Sequence, residues 1–303
     1  MRDLSRPVAD AIRAILDDRL KRLRHALIVA AAVALLTGGA RSDEPILHDG
    51  EAPQVGLARV YGQADIPVYR YQILRTYPHD TADYTEALFM HDGYLFEGTG
   101  QYGKSRLKKW DLKTGQMLSQ HALDARYFGE GAVALEDKLY HLTYISNTGF
   151  VYRLDDLSPV SVFHYPRQGW GLTTDGKSLI MSDGSAAVFF FNPAEPDADR
   201  YIIVRDAYSE VGFLNELEYV DGDIYANVWQ TDYIVRFSAK TGTVNGWIDL
   251  RGLNPEPETL VYPHVLNGIA YNGEPGTLLV TGKNWPNLWH IKLVPVPRDA
   301  DTR

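Results

Sequence analysis

Five residues that are polar or aromatic recur along this chain at nearly regular intervals. They are separated by 44, 40, 45 and 52 residues, and each opens a short apolar segment: Glu86, Glu130, Trp170, Asn215 and Asn267. A second set follows these positions by 14 residues, or by 16 in the last case: Gly100, Tyr144, Gly184, Trp229 and Lys283. Repeated positions that serve a core should be apolar and alike, so this mixture indicates a functional pocket.

The two sets together suggest a definite chemistry. They contain two carboxylates, two carboxamides, one ammonium group and three large aromatic side chains. Aromatic faces attract cations and carboxylates pair with them, so the pocket would suit a ligand with both a cationic amine and an amide. Structural roles are the alternative, because carboxamides at strand starts often bond backbone groups and tryptophans often fill cores.

The elements that must position these residues form a repeat. Nine residues after each of the first four starts comes an apolar residue just beyond an acidic or glycine-containing turn: Leu95, Leu139, Leu179 and Ile224. The fifth unit needs a two-residue insertion within 272–276 to bring Leu278 into the same register. Each unit supplies about four short strands, and five such sheets packed around an axis can bury faces that one sheet cannot. The sequence therefore predicts an all-β fold, a five-bladed β-propeller; an open pair of β-sandwich sheets is the competing architecture.

The domain boundaries follow from this repeat. Residues 68–77 read as a strand that precedes the first unit, while the last unit stops short of its outer strand, so we expect the early strand to complete the last blade and close the ring. The predicted organisation is a signal peptide or anchor at 1–40, an extended lead-in at 41–67, the propeller with the catalytic site at 68–297 and a tail at 298–303.

Composition excludes several classes of site. The net charge is −9, which argues against nucleic acid as a partner, and the chain has no cysteine, which excludes disulfides, thiol nucleophiles and cysteine-bound zinc. The nine histidines are scattered without a His-Glu-x-x-His spacing. We expect no metal ligands and no cofactor, and leave open a structural ion in the channel.

The first forty residues read as an export signal. Basic residues at 19–25 precede an apolar run at 26–36 and small residues that end at Ala40, where cleavage would fall. The run is short for a membrane span. We expect a periplasmic or secreted protein; an uncleaved N-terminal anchor is the alternative and would be the chain's sole membrane contact. A monomer is expected.

Several segments resemble a known family, the plant and bacterial glutaminyl cyclases. The resemblance runs from about Tyr84 to Pro286 and is carried by these segments: 127–131 (YFGEG), 169–173 (GWGLT), 214–219 (LNELEY), 227–232 (NVWQTD), 266–270 (LNGIA) and 280–286 (VTGKNWP). It implies a five-bladed propeller that converts the N-terminal glutamine of peptides or proteins to pyroglutamate and releases ammonia without a metal. It implies catalytic roles for Glu130, Lys283 and Asn215, with Glu130 as general base and then acid and the other two stabilising the oxyanion. The predicted substrate-binding residues are Trp170, Trp229, Glu86, Tyr144, Asn267 and Tyr84.

Two positions depart from the family pattern. Glu86 stands where the family usually has glutamine, and Tyr144 where it usually has tryptophan. Two carboxylates in one shielded pocket repel each other and raise the pKa of one of them. Two alternatives therefore stay open: a propeller that only binds peptide N-termini or small cations, and a calcium-dependent lactonase-like propeller with ligands among Glu86, Glu130, Asn215 and Asn267.

Overall fold

The computed structural model describes residues 55–254 and 264–297, with the backbone alone at 196–199. The predicted signal or anchor at 1–40, cleavage after Ala40, the start of the lead-in and the tail at 298–303 lie outside the described residues. Within the described ranges, no helix is long and apolar enough to cross a membrane.

The described chain begins with a short helix, α1 (Leu57–Tyr61), and a long strand, β1 (Val68–Pro78). The helix differs from the extended lead-in expected at 41–67, and its contacts explain why. Val60 is buried in the apolar layer between two later sheets, and the Arg59 guanidinium donates to Asp206 Oδ2 at 2.7 Å. One helical turn places both side chains on the body of the protein.

Three four-stranded antiparallel sheets follow. Blade 1 contains β2 (Thr85–His91), β3 (Tyr94–Thr99), β4 (Arg106–Asp111) and β5 (Gln116–Ala122). Blade 2 contains β6 (Gly129–Leu135), β7 (Lys138–Thr143), β8 (Thr148–Arg153) and β9 (Pro159–His164). Blade 3 contains β10 (Leu172–Thr174), β11 (Leu179–Ser182), β12 (Ala187–Asn192) and β13 (Glu195–Ile203).

Two further blades share β1. Blade 4 contains β14 (Leu214–Val220), β15 (Asp223–Val228), β16 (Tyr233–Ser238) and β17 (Val244–Asp249). Blade 5 contains β18 (Leu266–Ala270), β19 (Thr277–Gly282) and β20 (Asn287–Pro295), with β1 as its outer strand. The register of β1 on β20 is antiparallel, from Tyr69 opposite Pro295 to Pro78 opposite Asn287. The predicted closing strand is therefore confirmed.

The five blades form a closed ring. The innermost strands contact one another in the order β2, β6, β10, β14 and β18, and β18 contacts β2. An apolar layer fills each of the five seams between neighbouring blades; between blades 3 and 4, for example, Phe190 packs with Leu217 and Val235. The predicted all-β five-bladed propeller is confirmed. The ends of the innermost strands surround the axis, so residues placed there must meet.

Candidate active site

Irregularities in the innermost strands position the first predicted set of site residues. Pairing with the next strand shifts register between Thr85 and Ala87, Gly129 and Ala132, Leu214 and Leu217, and Leu266 and Ile269. Each shift is a β-bulge in which one extra residue breaks the alternation of faces. Glu86, Glu130, Asn215 and Asn267 lie in these bulges, and Trp170 lies just before β10. Bulges aim side chains that a regular strand would direct into a seam.

A repeated hydrogen bond fixes the second set. At four of the five second positions the amide N–H donates to the carbonyl two residues before the start of the same repeat unit: Gly100 to Tyr84, Tyr144 to Phe128, Trp229 to Phe213 and Lys283 to Val265, at 2.7 to 3.0 Å. Lys283 follows this pattern only when the two-residue insertion is counted. The structure therefore places Lys283 in the ring where the sequence register put it.

Glu86 and Lys283 form a buried ion pair at the centre of the site. Lys283 Nζ donates to both carboxylate oxygens of Glu86, at 2.6 and 2.8 Å, and lies 4.5 Å from the centre of the Tyr84 ring. Asn267 Nδ2 donates to Glu86 Oε2 at 3.1 Å and to the Thr85 carbonyl at 2.9 Å. Glu86 was predicted as a substrate-binding residue. In the structure its carboxylate pairs with the Lys283 ammonium group and so orients that side chain.

Glu130 lies beside this pair and is hydrogen-bonded to Glu86. Burial raises the pKa of Glu130 well above its ordinary value, the charge of Glu86 raises it further, and Lys283 opposes both effects. Burial raises the pKa of Glu86 too, but Lys283, Glu130 and Asn267 act against that. Glu86 is therefore the member of the pair that carries the negative charge, and Glu130 holds a proton that it donates to Glu86.

Aromatic side chains wall the rest of the pocket. Six buried residues form one cluster: Tyr84, Phe128, Tyr144, Trp170, Trp229 and Val265. The Trp170 and Trp229 rings meet edge to face with centroids 5.6 Å apart, and Phe128 meets Tyr84 and Tyr144 at 6.1 and 6.0 Å. The structure thus brings together the predicted aromatic residues. Phe128 and Phe213, two residues before the starts of blades 2 and 4, are members that the sequence analysis missed.

Buried amides complete the polar lining. Asn215 Oδ1, Asn267 Oδ1 and Asn227 Nδ2 are buried and have no hydrogen-bond partner among the described residues. The side-chain oxygen of Asn227, Oδ1, accepts from the Gly268 N–H at 2.9 Å, which ties blade 4 to blade 5. Asn215 is the second residue of β14 in blade 4, and Lys283 directly follows β19 in blade 5, beside the carboxylate of Glu86. Unpaired buried amide atoms are costly, and substrate groups would satisfy them.

The sequence analysis also missed an acidic residue on the axis. Glu216 in β14 accepts the N–H of Leu88 in β2 at 3.2 Å and that of Ile269 in β18 at 2.8 Å, so it links three innermost strands. Burial, Glu218 and Glu86 raise its pKa well above the ordinary value. Its neighbour in sequence, Asn215, belongs to the pocket, and nothing in the residue pattern distinguishes the two roles. The bulge, which presents both side chains toward the axis, is visible only in the structure.

Two groups of residues could be considered as metal ligands. Both Glu86 oxygens are occupied by Lys283, which disfavours a calcium site there. His79, Asp83 and Glu97 place three donor atoms within 4.8 Å of one another, but His79 pairs with Glu97 and Lys108 with Asp83. A reaction without a cofactor stays a prediction, as does an ion in the channel.

Fold and site together define a class: a five-bladed propeller with a buried pair of carboxylates, a lysine and an aromatic wall at one end of its axis. Comparison with known proteins specifies the family. The glutamine cyclotransferase family model matches residues 51–293, and the chain belongs to this family.

Two relatives support this assignment. The chain is 42% identical over 228 residues to a glutaminyl-peptide cyclotransferase of Arabidopsis thaliana, covering 73% of this chain and 71% of that protein. The crystal structure of Myxococcus xanthus glutaminyl cyclase is similar with a TM-score of 0.69 at 30% identity, over 77% of this chain and 100% of the other. The alternatives of a non-catalytic binder and a lactonase-like propeller are not favoured by these matches.

Proposed function

We propose that this chain is a glutaminyl-peptide cyclotransferase in which Glu130 moves the proton and no metal takes part. The observation that carries the proposal is the buried Glu130, whose pKa burial and Glu86 raise well above its ordinary value, beside the Glu86–Lys283 pair in an aromatic pocket. The reaction forms a bond between the substrate's α-nitrogen and its γ-carbonyl carbon and breaks the bond from that carbon to the amide nitrogen, which leaves as ammonia. One proton must pass from the attacking nitrogen to the leaving nitrogen.

The pocket favours the folded substrate conformation. Trp170 and Trp229 would pack on the glutamine methylene groups, while the unpaired oxygens of Asn215 and Asn267 would accept N–H groups of the amine or the carboxamide. Holding the amine close to its own carbonyl carbon removes much of the entropic barrier to ring closure. The role of Lys283 and Asn215 at the oxyanion stays as the sequence predicts it: Lys283 Nζ and Asn215 Nδ2 carry the N–H groups that can donate to the oxyanion.

The proton transfers run in a definite order. Because Glu130 already holds a proton, it first donates to the leaving nitrogen and then takes the proton that the attacking nitrogen loses. This reverses the base-then-acid order expected from the sequence. The substrate must bind as the free amine, which is accessible near neutral pH because α-amines have pKa values of about 7.7–8.0. Glu86 and Lys283 remain charged throughout and stabilise the charges that develop.

Replacing Glu130 tests the proposal. Glu130→Gln should lower turnover of a short peptide starting in glutamine by at least about 10²-fold, because the proton can no longer be relayed. Mass spectrometry would follow the loss of ammonia with and without a chelator. Glu136→Gln, an exposed residue in the same blade, is the matched control and should be fully active. Normal turnover by Glu130→Gln, or loss of activity with chelator, would overturn the mechanism.

We further propose that the enzyme acts outside the cytoplasm as a monomer. The order of basic, apolar and small residues at 19–40 supports export. N-terminal sequencing of the mature protein should find Arg41 as its first residue, and sedimentation should give the mass of one chain. Retention of Met1 in a protein held by the membrane would support the anchor instead.

A further inference from the structure

Four charged side chains are buried together behind Glu86, and the proposed mechanism uses none of them. We call His79, Asp83, Glu97 and Lys108 the buried tetrad. His79 Nε2 lies 2.9 Å from Glu97 Oε1, and Lys108 Nζ lies 2.5 Å from both oxygens of Asp83. Such groups are rarely buried unless paired, and here two cations balance two anions.

The pairing identifies the tetrad as a structural and electrostatic unit. A divalent metal would need the donor atoms of His79, Asp83 and Glu97, but these atoms are bound to one another or to Lys108. Glu97 also accepts from the Thr85 hydroxyl at 2.8 Å. Metal binding would therefore have to displace an ammonium group and a proton, and we look for another role.

His79 lies between two groups that only accept hydrogen bonds. Its Nδ1 is 2.6 Å from the Trp285 carbonyl oxygen, and its Nε2 faces the Glu97 carboxylate. A carbonyl oxygen cannot donate. Burial acts to raise the pKa of Glu97, but His79, Lys108 and the Thr85 hydroxyl hold it below its ordinary value, so its carboxylate cannot donate either. Both ring nitrogens must therefore carry a proton, and His79 is an imidazolium.

The Trp285 carbonyl belongs to the turn that carries Lys283. The same turn is fixed at three more points on residues 79–83: the His79 N–H donates to the Pro286 carbonyl at 2.9 Å, the Asn284 N–H to the Asp83 carbonyl at 2.7 Å, and Asn284 Nδ2 to the Thr81 carbonyl at 2.9 Å. On the other side, Thr85 is the first residue of β2, so its hydrogen bond connects Glu97 to the strand that carries Glu86. The tetrad thus holds blade 5's lysine against blade 1's carboxylate.

We propose that His79 is a positioning residue of the active site: as an imidazolium between Glu97 and the Trp285 carbonyl, it holds the Lys283 turn in register with Glu86. The inference rests on the proposed function and deepens it. Lys283 is then positioned by the hydrogen bonds of His79 to Glu97 and Trp285 as well as by its own ion pair with Glu86. Loss of the His79 proton would break one of the two ring hydrogen bonds and loosen the turn.

The charges around His79 set the pH at which this happens. Burial acts to lower the pKa of His79, but Glu97 from β3, the Trp285 carbonyl and Asp83 raise it to about 9. Lys108 from β4 neutralises Asp83 and so limits the contribution of that carboxylate. Glu97 is not among the groups that act on Glu130, so a change at Glu97 reaches His79 without directly altering the proton on Glu130.

Two substitutions at His79 test its role as a positioning residue. His79→Asn keeps a donor near the Nδ1 position and His79→Gln keeps one near Nε2, so each retains one of the two hydrogen bonds. Both should lower kcat by about 10- to 100-fold with a small change in KM, because a misplacement of about 1 Å costs up to about 10²-fold. His164→Gln, an exposed histidine in β9, is the control and should match the unchanged protein. Folded His79 variants with normal kcat would overturn the proposal.

A second measurement does not depend on those variants folding. In Glu97→Gln, the carboxamide oxygen can still accept from His79, but the charge is gone, so the pKa of His79 should fall by about 1–3 units. Nitrogen-15 NMR of labelled histidine, assigned by difference with a His79 variant or with Glu97→Gln, should show His79 doubly protonated at neutral pH in the unchanged full chain. The alkaline fall of kcat should move down with the His79 titration. A neutral His79 would overturn the proposal, and so would a shift in the pKa of His79 that leaves the pH profile of kcat unchanged. An inactive wild-type protein would instead overturn the proposed function, and the NMR result alone would then test the protonation of His79.

Discussion

At the scale of single residues, the site depends on three buried side chains that meet at one end of the axis, Glu86, Glu130 and Lys283. Counting from the blade starts placed Glu86, Glu130 and Lys283 at one end of the axis, and the structure brings these three together. Lys283 Nζ donates to both carboxylate oxygens of Glu86. This contact depends on side-chain conformations, which a residue pattern does not determine. The histidine behind them was not predicted at all, because His79 precedes the first repeat and its partners lie on other strands.

Glu86 is the residue whose replacement should reveal the proton on Glu130. Glu86→Gln removes the negative charge that raises the pKa of Glu130 and leaves Lys283 without its carboxylate partner, so the pKa of Glu130 should fall. Infrared difference spectra of the protonated carboxyl group, with Glu130→Gln as the blank, would give the titration directly. The midpoint should lie at lower pH in Glu86→Gln. An unchanged midpoint would mean that burial alone sets the protonation of Glu130.

Gly184 offers a test of the aromatic wall with a matched control. It adopts φ +83°, and a β-carbon there would lie 2.7 Å from the Trp170 ring; Gly176, at φ +82° in the same blade, faces open space. Both Gly184→Ala and Gly176→Ala should lose about 1–2 kcal/mol of stability from the left-handed backbone. Only Gly184→Ala should raise KM, because it displaces Trp170. Urea unfolding and peptide kinetics measure the two effects, and equal KM values would remove Trp170 from the binding site.

At the scale of elements, strand positions were predictable and bulges were not. The apolar residue nine positions after each of the first four starts lies at the beginning of the second strand of its blade, as Leu139 does in β7 and Ile224 in β15. Alternation of apolar and polar residues carries that information. A bulge interrupts the alternation by one residue at Asn215 and Glu216. The hydrogen bonds that Glu216 makes across the axis therefore cannot be predicted from the alternation of apolar and polar residues.

Glu218 in β14 should make stability depend on pH. It accepts the Tyr271 N–H at 2.7 Å, beyond the end of β18, and burial raises its pKa to about 8. In the unfolded chain a glutamate has a pKa of about 4.3, so between about pH 4.3 and 8 the folded state binds a proton that the unfolded state lacks. The contribution of Glu218 to stability is therefore complete below that window and is lost as pH rises through it.

Glu218→Gln tests this linkage. The carboxamide oxygen can still accept from Tyr271, and the side chain can no longer ionise. Relative to the unchanged protein, the variant should gain stability as pH rises from about 5 to about 9. Urea unfolding across that range gives the difference, and Glu136→Gln in an exposed turn is the control. Parallel stability profiles for wild type and Glu218→Gln would show that Glu218 ionises in the folded state without penalty.

At the scale of the whole molecule, the ring is closed by chain that lies before the first repeat. The missing outer strand of the fifth unit predicted this role for β1, because an open edge would otherwise remain. No comparable pattern predicts α1, since a helix of five residues is too short to show a periodicity. Its anchors are distant in sequence: Arg59 binds Asp206, and the Tyr61 hydroxyl donates to Asp249 Oδ2 at 2.6 Å.

Chains that begin at residues 41, 64 and 79 should separate the two contributions. The second lacks α1 and should lose at least the burial of Val60, about 1.5–3 kcal/mol. The third also lacks β1, which exposes the length of β20 as an unpaired edge, so it should aggregate or fail to fold.

A synthetic peptide of residues 68–78 should bind the third chain, the one that begins at residue 79, as a strand. It should restore a soluble protein with a cooperative unfolding transition. If the chain beginning at 79 is a monomer as stable as the first, then four complete blades and an open fifth suffice for the fold, and closure by β1 serves some other purpose than stability.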